Sequence, residues 1–363
     1  MARLSAHVEE ALFTSLAPRI IKHINIVPPR AAEGLVADVY GQMRHEFQLV
    51  PPVTLHAPIP QLLAAVWGML RESIVAGPVS RSLREVVCES VSAINQCSFC
   101  VDAHSMLLAG ADAQSTADAI RAHRLDLIGD AKTRAVAKWA FANRQPGADI
   151  LREPPFTAAE APEIIASAAC FHYIDRVVQV FLPDGPIPLP AKLSWLRGAT
   201  ISAAGSMAGK RIMKVKVKSG GAVGALPQAK PSPEFAWTAP RPALAAAFGS
   251  AEATIEELGQ NALAAPVRQL VQDRVATWGG EEPGISRSWI EEAVAGLDDH
   301  DRAAARLALL VAIAPYQIDE KIIAGFRNSQ PTDAELLAAV SWASFTATRR
   351  ISGWLSPVAH RDR

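Results

Sequence analysis

The residues of this sequence best suited to chemistry are two cysteines and a histidine between positions 97 and 104. Cys97 and Cys100 form a Cys-x-x-Cys pair, and His104 follows the second sulfur by four residues. Residues three or four positions apart lie on one face of a helix, so the three side chains could meet on a single stripe. A cysteine that opens a helix beside a histidine is favoured as thiolate, the reactive form of the thiol. This spacing indicates a redox site.

A second helix must precede the cysteines and return against them. Residues 82–94 carry apolar side chains at the spacing of an amphipathic helix, and Asn95 is the predicted break and N-cap before the next helix. That next helix is predicted over residues 97–109, so both sulfurs lie in its first turn, where the helix dipole favours an anion. Two antiparallel helices joined at Asn95 bring the carboxylate of Glu85 back towards His104.

This pattern resembles that of the AhpD-like alkylhydroperoxidases of the carboxymuconolactone decarboxylase superfamily. Their signature is a glutamate, a cysteine twelve residues later, a second cysteine three residues on and a histidine four residues beyond. The matching positions here are Glu85, Cys97, Cys100 and His104, and the resemblance covers residues 30 to 185 approximately. Some members carry a second histidine between the cysteines. Phe99 stands there in this chain, so a relay through that extra imidazole is not expected.

The resemblance implies a thiol-dependent peroxidase or disulfide oxidoreductase. Cys100 would attack a peroxide oxygen and become a sulfenic acid, and Cys97 would condense with it to a disulfide that a dithiol or protein reductant must open. His104, oriented by Glu85, would draw protons from the thiols. A thiol of pKa about 8.5 is only a few per cent ionised at neutral pH. We therefore expect the helix end and an imidazolium to lower the pKa of the reactive cysteine by about 2.

The same residues allow other interpretations. A structural zinc site needs about four nitrogen or sulfur ligands, and the other two cysteines, Cys88 and Cys170, are single and unsuitably spaced. We therefore predict no metal and no other cofactor. A structural disulfide is disfavoured because the short Cys-x-x-Cys spacing closes a very small loop. Glu89, one helical turn after Glu85, is the alternative carboxylate for the histidine.

Length, charge and hydropathy limit the remaining function classes. The chain has 363 residues, which is beyond the usual size of one hydrophobic core and predicts two domains. Lys+Arg and Asp+Glu both number 36, so no charge excess indicates a nucleic-acid partner or an anionic membrane. No apolar run approaches the ~18 residues of a membrane span, and the N-terminus lacks the apolar core of a signal peptide. We expect a cytoplasmic protein without nucleic-acid or membrane partners.

Alanine-rich segments with helical periodicity dominate the sequence, and strand alternation is scarce, so we predict an all-α fold, an AhpD-like helical bundle. The predicted helices of the first half span residues 32–47, 61–76, 82–94, 97–109, 116–123, 131–143 and 158–181. Residues 1–204 form the predicted domain with the redox motif, and residues 205–235 form a linker that contains a basic, alternating run at 209–218. Residues 236–363 form a second helical domain without cysteines.

The second domain resembles a degenerate copy of the first, which would make the chain two tandem AhpD-like repeats. Residues 57–65 (APIPQLLAA) recur as residues 239–247 (APRPALAAA), and the last helix of each half carries a matching arginine, Arg176 or Arg350. The alignment requires an insertion near residues 260–295 and a later deletion. Tyr316, Asp319, Ile323 and Ala304 would replace Cys97, Cys100, His104 and Glu85 respectively. The copy would then be structural or would cover the first site; an unrelated helical domain is the alternative.

The leading hypothesis is therefore peroxide reduction at one active site per chain, with an unidentified dithiol or protein as reductant. A decarboxylase or lactone enzyme that does not use thiols is the second hypothesis, and a redox-inert helical scaffold is the third. Family members with a single motif domain form trimers or hexamers, so we predict a homo-oligomer, a dimer or trimer. His172 and Asp175 lie on the last helix of the first half, which by resemblance packs near the motif, although a histidine on a helix face is more often structural.

Overall fold

The computed structural model of this protein describes residues 20–186, 200, 209–223 and 227–356. Within these residues the regular elements are helical, and the β-type pairing is limited to an isolated bridge between Ala76 and Val217. The all-α prediction is confirmed. The basic run 209–218 is not a strand, because it forms one short helix followed by turns and irregular chain.

The described part of the first half contains nine α-helices: α1 (Gly34–Glu46), α2 (Pro51–Thr54), α3 (Pro60–Leu70), α4 (Arg81–Ile94), α5 (Ser98–Gly110), α6 (Gln114–Arg121), α7 (Ala131–Phe141), α8 (Asp149–Arg152) and α9 (Ala161–Phe181). The short helix α10 (Lys210–Ile212) follows, and then α11 (Pro242–Ala262), α12 (Ala265–Thr277), α13 (Ser288–Val294), α14 (Asp299–Ile313), α15 (Glu320–Arg327) and α16 (Asp333–Leu355). A π-helical turn, Arg71–Val75, continues α3, and 3-10 turns lie at Pro29–Ala31, Leu125–Leu127, Pro233–Thr238 and Pro315–Gln317. All seven helices predicted in the first half are present.

The turn between α4 and α5 differs from the prediction at one residue. Asn95 is the C-cap of α4 and not the N-cap of α5. Gln96 adopts a left-handed backbone conformation, with φ of 57°, which reverses the chain direction within one residue. Cys97 therefore becomes the N-cap of α5, and Cys100 lies in the first helical turn. The Asn95 side chain is free to bond to another helix.

The long helices α9 and α16 pack along each other at the centre of the molecule, and α3 packs against α11. The hydroxyl of Ser344 on α16 donates to the carbonyl of Tyr173 on α9 at 2.8 Å. Buried apolar side chains from both halves form one continuous core. The domain limits 1–204, 205–235 and 236–363 stay a prediction, since this core joins the halves.

The order of the helices agrees with the predicted repeat. Helices α3, α4, α5 and α9 are followed in the same order by α11, α14, α15 and α16. Helices α12 and α13 fill the predicted insertion near residues 260–295. Helices α6 to α8 have no counterpart between α15 and α16, which corresponds to the predicted deletion.

Helix α9 is the element that positions most of the site from outside the motif. All of its 21 residues except Gln179 are buried, as expected of a helix surrounded by others. Of the described helices it alone is long and apolar enough to cross a membrane, but 94% of its most apolar stretch is buried inside the protein. It is a core helix whose polar side chains must therefore find partners within the fold.

Candidate active site

The predicted pairing of Glu85 with His104 is present. Helices α4 and α5 are antiparallel neighbours, and His104 Nδ1 lies 2.5 Å from Oε2 of Glu85. The other carboxylate oxygen, Oε1, accepts a bond of 2.5 Å from Nε of Arg81, one turn earlier on α4. Burial by itself would raise the pKa of Glu85, but the charges and hydrogen bonds of Arg81 and His104 lower it to about 2. Glu85 is therefore a buried carboxylate anion that lies between the side chains of Arg81 and His104.

The alternative carboxylate, Glu89, serves a different partner. Its Oε1 accepts a hydrogen bond of 2.5 Å from the hydroxyl of Ser105, the residue that follows His104 on α5. Burial raises the pKa of Glu89 to about 8. At neutral pH this side chain is mostly a neutral acid, so it does not take the place of Glu85.

Cys97 and Cys100 lie together, and both are almost completely buried, with 1% and 2% of their surface exposed. The carboxylate of Asp175, from α9, lies with them: its oxygen and the two sulfurs are all within 4.8 Å of one another. Burial, together with the negative charge of Asp175, raises the pKa of both thiols. The expectation of a lowered thiol pKa is therefore wrong, because burial outweighs the helix dipole at this helix end.

Asp175 is the site residue that the motif did not include. Its Oδ1 accepts a bond from the hydroxyl of Ser92, and its Oδ2 accepts one from Nδ2 of Asn95, each at 2.9 Å. Asn95 Nδ2 also lies 3.1 Å from Nδ1 of His172. The sequence signal for Asp175 is a carboxylate in the interior of a mostly apolar helix. This signal does not predict which residues contact the carboxylate.

Two groups of side chains offer three metal ligands each within the described part of the chain. Glu85, Cys88 and His104 form one group, and Cys97, Cys100 and Asp175 form the other. A structural zinc ion takes four protein ligands, so each group is one ligand short. The hydrogen bonds of Glu85, His104 and Asp175 already give those groups protein partners. We assign no metal to either group.

A cavity of about 310 Å³ reaches Cys100 and His104 from one side. Arg81 and Glu85 also border it, and the rest of its wall is mostly apolar: Phe47, Leu49, Val50, Ile74, Phe171 and Ile174 contribute. The ring of Phe171 packs edge-on against the imidazole of His104, with the centroids 4.3 Å apart. The space is suited to the body of an apolar small molecule.

The second half of the chain contacts the turn that carries the cysteines. Nε2 of Gln96 donates to Oε2 of Glu282 at 2.8 Å, and Oε1 of Glu282 accepts a bond of 3.0 Å from Arg144. Arg144 also donates to the carbonyl of Ile94, at 3.1 Å. The loop between α12 and α13 therefore fixes one side of this turn, in keeping with a covering role for the second half.

The residues that stand in place of the motif in the second half have structural partners. The Tyr316 hydroxyl donates to the carbonyl of Gly284 at 2.8 Å, and Asp319 pairs with Arg287 at 2.9 Å. Ile323 and Ala304 are buried in the core. These four side chains offer no thiol and no imidazole.

Comparison with known proteins places this arrangement in a family. Residues 60–142 match the family model described as "Carboxymuconolactone decarboxylase family". The chain is 34% identical to alkyl hydroperoxide reductase Rv2159c of Mycobacterium tuberculosis over 342 residues, which is 94% of this chain and 96% of that protein. No solved structure matches the chain. The protein therefore belongs to the AhpD-like proteins of the carboxymuconolactone decarboxylase superfamily.

Proposed function

We propose that this protein is a thiol-dependent peroxidase that reduces organic hydroperoxides through Cys97 and Cys100. The observation that carries the proposal is that Cys100 and His104 both line one mostly apolar cavity. The relative from Mycobacterium tuberculosis is named an alkyl hydroperoxide reductase, which supports a peroxidase of this type.

The Glu85–His104 pair supplies the base for the first step. Because Glu85 is ionised, it accepts a hydrogen bond from the N–H group at Nδ1 of His104. The lone pair of the imidazole then lies on Nε2. Nε2 takes the proton of the Cys100 thiol, and the resulting thiolate attacks the terminal oxygen of the hydroperoxide. The O–O bond breaks, Cys100 becomes a sulfenic acid, and the leaving alkoxide takes a proton from the imidazolium to give an alcohol.

The second step closes the Cys-x-x-Cys disulfide and releases the sulfenic oxygen as water. Cys97 is the partner because its sulfur lies within 4.8 Å of that of Cys100. An external dithiol or a protein thiol then reduces the disulfide and restores both thiols. The raised thiol pKa values fit a mechanism in which thiolate forms only as His104 removes the proton.

The cavity favours hydroperoxides with an apolar body over hydrogen peroxide. Cumene hydroperoxide can bury its ring against Phe47 and Phe171, whereas hydrogen peroxide has no apolar surface to bury. We expect a higher kcat/KM for cumene hydroperoxide, measured with dithiothreitol as the reductant.

Cys100→Ser should abolish this activity, because serine cannot form the sulfenic acid. Cys170→Ser is the matched control, since Cys170 is a buried cysteine of α9 outside the Cys97–Cys100–Asp175 group. Full peroxidase activity in Cys100→Ser would contradict the mechanism. If wild type gave no hydroperoxide turnover and its paired thiols did not oxidise together, a thiol-independent decarboxylase or a scaffold would be favoured.

The setting that we propose follows from this chemistry. A reducing compartment such as the cytoplasm keeps the catalytic thiols available between turnovers. The partners are a peroxide substrate, a dithiol or protein reductant and further copies of the same chain. Neither nucleic acid nor membrane is needed for the reaction.

A further inference from the structure

A buried carboxylate lies beside the Cys-x-x-Cys pair and takes no part in the mechanism above. Asp175 is completely buried on α9, yet one of its oxygens is within 4.8 Å of both sulfurs. Ser92 and Asn95 hold its two oxygens from α4, so its position is fixed. His104 belongs to the other group of side chains, with Glu85 and Cys88. Asp175 is therefore an acid–base group beside the cysteines that is separate from the Glu85–His104 pair.

We propose that Asp175 accepts the proton of Cys97 when Cys97 closes the disulfide, which makes it a second proton carrier in the thiol chemistry proposed above. His104 is a free base again once it has passed its proton to the alkoxide, but it groups with Glu85 and Cys88, whereas a carboxylate oxygen of Asp175 lies within 4.8 Å of the Cys97 sulfur. The Cys97 sulfur must then lose its own proton before it can attack, since the thiolate is the nucleophile. Asp175 is the ionisable side chain placed beside that sulfur.

The proposed step balances as follows in atoms and charge. The Cys97 S–H proton moves to a carboxylate oxygen of Asp175, and the Cys97 sulfur attacks the sulfur of the Cys100 sulfenic acid. The S–O bond breaks, and the departing hydroxide takes the proton from Asp175 to form water. Asp175 returns to its ionised form, and the two cysteines have become a disulfide.

The surroundings of Asp175 keep it able to accept a proton at neutral pH. Burial raises its pKa to about 6, while hydrogen bonds from Asn95, Cys100 and Ser92 and the charge of His104 limit the rise. The titratable and charged groups that interact with it are Cys88 on α4, Cys97, Cys100 and His104 on the α5 side, and Cys170 and Arg176 on α9 itself. Above about pH 6 Asp175 is mostly ionised, and below it the acceptor is lost.

The test follows disulfide closure without any peroxide, so that it does not depend on peroxidase activity. Full-length reduced protein is treated with methyl methanethiosulfonate, a reagent small enough for a buried thiol. It transfers a methylthio group to Cys100 and releases methanesulfinate, which leaves a mixed disulfide; attack by Cys97 on the Cys100 sulfur then expels methanethiol and closes the disulfide. Mass spectrometry of acid-quenched samples gives separate rates for adduct formation and closure, measured between about pH 5 and pH 8.

Asp175→Asn should not slow adduct formation, because the charge of Asp175 raises the pKa of Cys100, but it should slow closure at neutral pH at least about ten-fold. This effect is below the usual range for a general base, because hydroxide can still remove the Cys97 proton. The wild-type closure rate should fall as the pH drops through about 6, where Asp175 becomes protonated. The Asn variant should lack that fall. Ser92→Ala, which removes one bond to Asp175, should give a smaller change in the same direction, and Glu89→Gln, another buried carboxylate variant, should give none.

Closure at the wild-type rate in Asp175→Asn, or equal slowing of adduct formation and closure, would overturn the proposal. A thermal unfolding curve for each variant separates loss of folding from loss of the proton acceptor. If Asp175→Asn did not fold, the wild-type closure profile and the Ser92→Ala variant would decide: no fall near pH 6 would overturn the role of Asp175. Loss of hydroperoxide turnover with normal closure would instead count against the proposed peroxidase.

Discussion

Replacing Glu85 by glutamine tests the charge arrangement at the base of the site. In wild type the buried carboxylate accepts bonds from both Arg81 and His104. The amide keeps the shape of the side chain but removes the negative charge, and it leaves the partly buried Arg81 without its counter-charge. Two terminal nitrogens of Arg81 already lack a hydrogen-bond partner among the described residues. We therefore expect Glu85→Gln to lower the free energy of unfolding.

The size of this effect follows from the pKa of Glu85. Its fall from 4.5 to about 2 corresponds to about 3 kcal/mol, because one pKa unit is worth about 1.4 kcal/mol. Breaking a buried ion pair costs about 3–5 kcal/mol in other proteins, which agrees. A lowered pKa contributes stability that is fully present above the unfolded value of about 4.5 and is lost as the pH falls towards 2.

The assay is urea unfolding of wild type and Glu85→Gln at several pH values from neutral to about 3. The difference in unfolding free energy should be about 3 kcal/mol at neutral pH and should shrink on acidification, as wild-type Glu85 takes up a proton.

Glu89→Gln is the matched control, one turn away on the same helix. The pKa of Glu89 is raised to about 8, so wild type loses stability as the pH rises from about 4.5 towards 8. Its glutamine variant should therefore equal or exceed wild type at neutral pH. Equal stability of wild type and Glu85→Gln, or a loss of the same size in both variants, would refute the reasoning.

Three further predictions concern the histidine, the core and the assembly. His104→Gln should slow alkylation of Cys100 by iodoacetamide about ten-fold at neutral pH, with recovery at higher pH, and Glu85→Gln should act more weakly; unchanged profiles would make the imidazole a packing group. Gly259→Ala should cost about 1–3 kcal/mol in urea unfolding, since its methyl group would collide with the Trp342 indole. Gly41→Ala, with nothing within 4 Å, is the control and should be neutral or stabilising. Light scattering should give a mass well above the 38.7 kDa of one chain at micromolar concentrations, and a monomer would contradict the predicted dimer or trimer.

The sequence alone determined the helices and the core of the motif. Helical periodicity and turn residues act over a few positions, so α4 and α5 and their antiparallel return could be predicted from residues 82–109. Spacing within two adjacent helices then brought Glu85 to His104, as the structure shows.

Only the tertiary structure decided what surrounds the thiols. Asp175 is 75 residues after Cys100, and no local spacing rule brings a residue of α9 to the α5 N-terminus. The cavity wall likewise combines residues from Ile20 to Ile212. The pKa of the Cys100 thiol also depends on residues that are distant in the sequence. The helix end alone predicts a lower pKa, whereas burial by distant helices raises it. Charges and burial depend on neighbours in space, and packing of distant helices sets those neighbours.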